Sequence, residues 1–268
     1  MGAEIMNLDR QSFLGLESEQ IIQAARIAVI GLCGGGSHVS QQLAHIGFRN
    51  LVLVDHDSAD DTNINRMVGL TATDAEAKEL KTEVIARAIL EVNPQANVEK
   101  FPCRWQACER ALRDCTAIFG CVDSFGQREQ LERFARRFMI PYIDVGMDVS
   151  GTEGRYFITG QSILSLPGHA CMRCMGFLTE EVLAAEAGKY GAAGGKPQVV
   201  WPNGILASTA VGQLIGLLTP WNDELEVPLY LDYDGNRSIV TLNKRLAHID
   251  QAACPHFVGR DALGDLEW

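Results

Sequence analysis

The stretch Gly31-Leu32-Cys33-Gly34-Gly35-Gly36-Ser37 follows a short β-branched run and leads into a helical pattern. Glycines in that place let a backbone approach phosphate, while the first N–H groups of the helix and its positive dipole end face the anion. A dinucleotide fingerprint has glycine at the positions of Gly31, Cys33 and Gly36, so the cysteine makes the match imperfect. On this segment alone, a tight strand-to-helix turn that binds no nucleotide stands as an alternative. Asp55 lies 24 positions after Gly31, at the end of a second apolar run. A carboxylate there can accept hydrogen bonds from both hydroxyls of a ribose, or it can simply cap a turn. A different chemistry is suggested by Cys171-Met172-Arg173-Cys174, which has the spacing of half a tetrahedral zinc site. Buried small hydrophobes are its bland alternative.

The elements that must hold these residues follow from the hydrophobic pattern. Ile27 to Ile30 reads as a strand, Ser37 to Ile46 as a helix closed by Gly47, and Leu51 to Val54 as a second strand, which completes a βαβ unit. The alternation continues with a helix near Glu76 to Glu91 stopped by Asn93-Pro94. Strands follow near Val98 to Phe101 and Thr116 to Phe119, then a helix over Gln127 to Phe138 and a strand over Tyr142 to Val145. That rhythm predicts an α/β fold with a Rossmann-like, doubly wound, mostly parallel sheet. Beyond Val149 the pattern turns β-rich, with runs at Arg155 to Thr159 and Ser162 to Leu166, so the sheet is expected to continue into a mixed or antiparallel region. Ala184 to Pro197 reads as a mobile loop, Gly204 to Leu218 as an apolar helix, and Leu229 to Tyr233 with Ser238 to Leu242 as a hairpin.

The tract after the second strand sharpens the reading. Asp55, Asp57, Asn63-Ile64-Asn65-Arg66, Lys81 and Asn93-Pro94 occur in the order and near the spacing of a signature that resembles the ThiF/MoeB/HesA superfamily, the fold of ubiquitin-activating enzymes. The resemblance runs from Arg10 to about Gly259. It implies an ATP-dependent adenylyltransferase that converts a carboxylate into an acyl-adenylate and releases pyrophosphate. The implied partner is the C-terminus of a small ubiquitin-like or sulfur-carrier protein. In such enzymes Gly31, Gly34, Gly36, Asp55 and Asp57 would bind the nucleotide. Arg66 and Lys81 would neutralise charge building on the phosphates, with Asn65 as a neutral donor. For Lys81 alone, a solvated charge beside Glu79 and Glu83 is the default. Asp123, after the strand ending at Phe119, corresponds to an aspartate that binds Mg²⁺ in similar enzymes, although it also suits the N-cap of the following helix. Arg10 lies where family members contribute an arginine to the ATP of a partner protomer, so a homodimer is expected. Relatives supply a second Cys-x-x-Cys near the C-terminus; here that place reads Cys254-Pro255-His256-Phe257. Phe257 stands where relatives have the fourth cysteine, so His256 substitutes, a water completes the shell, or zinc has been lost; the expected Zn²⁺ set, in a structural role, is Cys171, Cys174 and Cys254 with His256. From Met175 to Gly259 the one cysteine is Cys254, so no thioester is expected on the crossover loop. Gly194-Gly195-Lys196 in that loop could instead cover a threaded tail, with a plain flexible linker as the alternative.

Composition bounds these readings. At 268 residues and 47% hydrophobic, the chain suits a single adenylation domain, with a nucleotide half over about 20–150 and a substrate and zinc half over about 151–268. No apolar run reaches the roughly 18 residues of a membrane span, and the first ten residues lack a basic, apolar leader, which places the chain in the cytoplasm. A net charge of −11 argues against broad attraction to nucleic acid. Arg133, Arg136 and Arg137 leave RNA contact open, as in the tRNA threonylcarbamoyladenosine dehydratases of the same superfamily, although a solvated helix face is the better explanation of them. A peptide-adenylating enzyme and a non-enzymatic scaffold are the remaining alternatives.

Overall fold

The computed structural model describes residues 8–187, 197–222 and 224–257. Strands β1 (Arg26–Ile30), β2 (Asn50–Val54) and β4 (Ala117–Gly120) are buried along nearly their whole length. Strands covered by helices on both faces read in this way, as continuous apolar runs. With β3 (Asn97–Phe101), β5 (Tyr142–Thr152), β6 (Arg155–Ser165), β7 (Tyr230–Asp234) and β8 (Ile239–Leu242) they form one sheet in the order β3-β2-β1-β4-β5-β6-β7-β8. The first five strands are parallel. β5 then pairs antiparallel with β6 from Tyr142↔Ser165 to Thr152↔Arg155, and β7 and β8 continue antiparallel. The expected α/β class is thus present, a mostly parallel sheet with an antiparallel end.

The helices are α1 (Ser18–Ala24), α2 (Gly34–Ile46), α3 (Ala72–Ala77), α4 (Lys81–Val92), α5 (Glu109–Leu112), α6 (Phe125–Arg137), α7 (Glu180–Ala187) and α8 (Val200–Leu218). α2 packs between α4 and α8, α8 also covers β5 and β6, and α6 lies against β4 and β5. Strand order reverses between β1 and β4, so the C-terminal ends of β1, β2 and β4 open a crevice of the kind that binds ligands in doubly wound sheets.

Several boundaries differ from the sequence reading. β5 runs on to Thr152 rather than ending near Val145, because its antiparallel pairing with β6 continues to Arg155. α2 begins at Gly34 rather than Ser37, because the glycines already adopt helical geometry there. The single helix expected over Glu76 to Glu91 is two. Lys78 ends α3 in the left-handed region (φ 51°), where Glu79 N donates to Asp74 O and Lys78 N to Ala75 O. The runs Arg155 to Thr159 and Ser162 to Leu166 form one strand, since pairing with β5 carries straight through Gly160. α8 starts four residues before Gly204; Pro202 lies in its first turn, where a missing N–H costs no intrahelical bond. Of the loop read over Ala184 to Pro197, the first four residues end α7, and 188–196, including Gly194, Gly195 and Lys196, lie outside the described residues.

Candidate functional site

The glycine turn is built by close approach. Gly31 has φ +86° and donates its N–H to Val54 O at 2.9 Å; a Cβ on it would lie 2.5 Å from Cys121 O. A Cβ on Gly36 would lie 1.8 Å from the carbonyl oxygen of Gly31, so α2 can start over β1 only with glycine there. Gly34 faces the amide of Asn203 on α8. Gly36→Ala is accordingly expected to destabilise the fold by about 3 kcal/mol, because backbone and not a movable side chain opposes the methyl group. A urea titration against wild type checks this. Cys33 precedes α2 without a side-chain cap, which leaves the helix N-terminus facing the crevice.

Asp55 is 8% exposed, and its carboxylate organises this turn. Oδ2 accepts from Leu32 N at 2.7 Å and Oδ1 from Asp57 N at 2.9 Å, and each oxygen retains a second lone pair. Lys81 is buried rather than solvated beside Glu79 and Glu83. Its Nζ donates to Asp57 Oδ2 at 2.8 Å and its backbone N to Asp57 O at 3.1 Å. The break between α3 and α4 makes this possible, because Ala59 N donates to Glu79 O and Ser58 bridges Leu80, which seats the start of α4 against the β2 loop. Burial works against the charge on Lys81, but Asp55 and Asp57 outweigh it and raise its pKa. Burial likewise opposes ionised Asp57, and the Lys81 hydrogen bond overcomes that and lowers its pKa.

In the Asn63-Ile64-Asn65-Arg66 tract the two asparagines differ. Asn63 is buried and closes a capping box with Asp60. Asn65 is exposed and donates from Nδ2 to Gln198 O at 3.0 Å. Arg66 Nη1 donates to Thr62 O and to Asn65 Oδ1, while its Nε is buried with no acceptor among the described residues. Cys33 is close enough to Arg66, Lys81 and Asp55 to feel all three charges, although burial dominates and raises its thiol pKa. Gly31, Gly34, Gly36, Asp55, Asp57, Arg66 and Lys81 therefore converge on one end of the sheet. An uncapped helix N-terminus, two cations and a guanidinium N–H lacking an acceptor fit a polyphosphate.

Asp123 is exposed on the loop after β4, on the other side of the strand reversal from Asp55. It does not cap α6. That cap is Ser124, whose side chain accepts from Gln127 N, so the carboxylate of Asp123 is not consumed by the helix. Arg10 is exposed and is not brought to its own glycine turn. Its neighbour Gln11 donates to Ile46 O at 2.8 Å, at the opposite end of α2, and 13 residues of helix span about 20 Å.

The cysteine cluster assembles as expected. Cys171 Sγ is 3.6 Å from Cys174 Sγ, Cys174 Sγ is 3.8 Å from Cys254 Sγ, and His256 Nδ1 is 3.3 Å from both Cys171 and Cys174 sulfurs. Metal–sulfur bonds of about 2.3 Å in a tetrahedron give sulfur–sulfur edges of about 3.8 Å, so three thiols and one imidazole fit Zn²⁺. Phe257 points elsewhere and stacks on the Arg136 guanidinium at 4.8 Å. That contact also changes the reading of the arginine cluster. Arg133 and Arg137 are exposed, but Arg136 is buried, donating to Ser165 Oγ and His169 O, so the three do not form one basic face.

Two contacts that the sequence reading did not single out lie beside the site. Arg128 and Asp144 form a buried ion pair under it, and Glu186 of α7 bonds the N-terminus of α6. Nothing local in the sequence marks either contact.

Comparison with known proteins agrees with this architecture. The chain is 28% identical over 145 residues to the molybdopterin-synthase adenylyltransferase of Haemophilus influenzae, covering 52% of this chain and 59% of that protein. It is 30% identical over 128 residues to the tRNA threonylcarbamoyladenosine dehydratase of the same organism, covering 47% and 48%. The chain thus spans roughly half to three fifths of these relatives. The crystal structure of E. coli MccB with ATP superposes with a TM-score of 0.71 at 18% identity, over 89% of this chain and 67% of that one, which is a likeness of fold. A model of the ThiF family matches residues 6–255, a span that holds the glycine turn, Asp55 through Lys81, Asp123 and all three clustered cysteines, and the chain belongs to the ThiF family.

Proposed function

We propose that the chain is an ATP-dependent adenylyltransferase that activates the C-terminal carboxylate of a small ubiquitin-like or sulfur-carrier protein. The observation that carries this reading is the convergence of Arg66, Lys81 and the open α2 N-terminus beside Asp55, with Asp123 exposed across the strand reversal. In the reaction one carboxylate oxygen bonds to the α-phosphorus as the bond to the bridging oxygen breaks, and pyrophosphate carries away the electron pair. Arg66 and Lys81 stabilise the charge that builds on the phosphates, Asn65 adds a neutral donor, and the remaining lone pairs of Asp55 take the ribose hydroxyls. Mg²⁺ held by Asp123 and phosphate oxygens would neutralise further charge. Catalysis then needs placement and charge rather than a protein nucleophile.

Arg10, remote from its own glycine turn, would serve a partner protomer. The apolar surface beside it supports a homodimer, with Phe13 67% and Leu16 93% exposed and Phe13 packed edge-on against Trp221. Zn²⁺ on Cys171, Cys174, Cys254 and His256 would brace the segment after β6 against the chain end. We expect about one zinc per chain by mass spectrometry of the native protein, and chelation at neutral pH to lower the melting temperature by several degrees. Protein that is metal-free as purified and indifferent to a chelator would contradict this.

The substrate class is tested by ATP–pyrophosphate exchange with small-protein, RNA and peptide fractions of the source organism. Exchange driven by the small-protein fraction supports the reading. Exchange driven by RNA alone would favour a dehydratase-like enzyme, against which stand the cysteine cluster, the acidic net charge and the buried Arg136. Exchange driven by peptides alone would favour a peptide-adenylating enzyme.

A further inference from the structure

Glu186, on α7, reaches the N-terminus of α6 with its carboxylate. Oε1 accepts from Phe125 N at 2.9 Å, and Oε2 accepts from Gly126 N at 2.8 Å and from Ser124 Oγ at 3.0 Å. These three donors come directly after Asp123 in the chain, at the point where the strand order reverses. Two backbone N–H groups, a hydroxyl and the dipole of a 13-residue helix recognise a carboxylate. The group seated there belongs to the chain itself.

What else holds α7 is slight. None of its residues is buried, Leu183 only leans on the core, and Glu180 pairs with Arg173 at the helix start. The C-terminal half of α7 is therefore tied down mainly by Glu186. Past residues 188–196 the chain is tied again, where Gln198 O accepts from Asn65. The two ties fall on opposite sides of the crevice, one next to Asp123 and one next to Arg66.

We infer that Glu186 is an autoinhibitory contact, an internal carboxylate that holds α7 on the residues beside Asp123 until the carboxylate of the incoming tail displaces it from Ser124, Phe125 and Gly126. This rests on the adenylation reading, because that reading supplies a substrate that ends in the same chemical group. A helix N-terminus accommodates one carboxylate at this position, so the two compete. Exchanging one for the other forms and breaks no covalent bond, and the charge at the helix end is unchanged.

The test uses the full chain and two readouts. Without nucleotide or substrate, hydrogen–deuterium exchange over residues 180–187 is expected to be about tenfold faster in Glu186→Ala than in wild type, with Glu186→Gln in between, since the amide keeps one acceptor but loses the charge. Equal exchange in all three proteins would overturn the contact. In ATP–pyrophosphate exchange driven by the small-protein fraction, Glu186→Ala is expected to lower KM for the acceptor about fivefold with kcat retained. A raised KM, or a fallen kcat at constant KM, would overturn the inhibitory role and make Glu186 a support for α6. If wild type itself catalyses no exchange, the adenylation reading fails and the inhibitory role falls with it, while deuterium exchange still decides whether Glu186 holds α7.

Discussion

An Arg66→Ala variant is expected to form acyl-adenylate about 10²–10³-fold more slowly than wild type, through a fall in kcat with little change in stability. The guanidinium contributes little to the fold. Its Nη1 serves local acceptors, Thr62 O and Asn65 Oδ1, while Nε is buried without an acceptor. A donor placed where charge develops acts mainly in the transition state, so its loss appears in rate before it appears in binding. Lys81→Ala separates the two effects by contrast. It removes a second phosphate-facing cation and also the ion pair to Asp57 at 2.8 Å, so the rate should fall comparably and the fold should weaken as well. Asp57 is half exposed and water screens the pair, which keeps the expected stability loss to about 1 kcal/mol. Single-turnover release of pyrophosphate with and without the acceptor, beside thermal melts of both variants, checks this; a wild-type rate in Arg66→Ala would remove the arginine from the mechanism.

The largest stability effect is expected at Asp144. This residue is wholly buried on β5 and takes both carboxylate oxygens to Arg128 on α6, itself buried. Asp144→Ala leaves a guanidinium in the interior without its counter-charge, and breaking a buried pair on one side costs about 3–5 kcal/mol. For a chain of this size that corresponds to a melting temperature lower by about 10 °C. The double variant Arg128→Met with Asp144→Leu should recover much of the loss, because the penalty comes from the orphaned charge rather than from the absence of a salt bridge. A double variant no more stable than Asp144→Ala would show that the pair itself holds α6 on the sheet. α6 starts at the residues that follow Asp123, so the same variants should also report on catalysis. Arg128, Glu132 and Arg136 lie one turn apart on its inner face, and Glu132 accepts from Ser165 Oγ and from Met172 N inside the Cys171–Cys174 turn. One helix thus links the nucleotide end of the crevice to the cysteine cluster.

What the sequence made legible was whatever depends on near neighbours. The buried strands β1, β2 and β4 are continuous apolar runs, and the glycine turn and Asp55 follow from the local pattern of a βαβ unit. Lys81 was distinguishable from a surface lysine only by its spacing from Arg66 and Asn93. The structure gives the reason for the spacing, since a left-handed Lys78 and a bridge from Ser58 to Leu80 are needed to bring it to Asp57. Contacts that join distant segments left no local trace. Asp144 meets Arg128 only after β5 and α6 have packed, Phe257 finds Arg136 across the fold, and Glu186 reaches its three donors from a helix with almost no amphipathic signal of its own. Asp123 and Ser124 are both good capping residues, and which one caps α6 is a matter of backbone geometry that composition does not encode. The sequence divides β6 into two runs because Gly160 interrupts its alternation, whereas the ladder with β5 passes through it.

Chemistry at the α-phosphorus of ATP, with a carboxylate as the attacking group, is read from the products of ATP turned over by the purified chain with the small-protein fraction, by separation of the nucleotides and by the mass of the acceptor. One pyrophosphate per ATP consumed is expected, matched by AMP carried on the acceptor as acyl-adenylate together with any free AMP that its hydrolysis releases. ADP and inorganic phosphate, or consumption of ATP that leaves every acceptor unmodified, would contradict it.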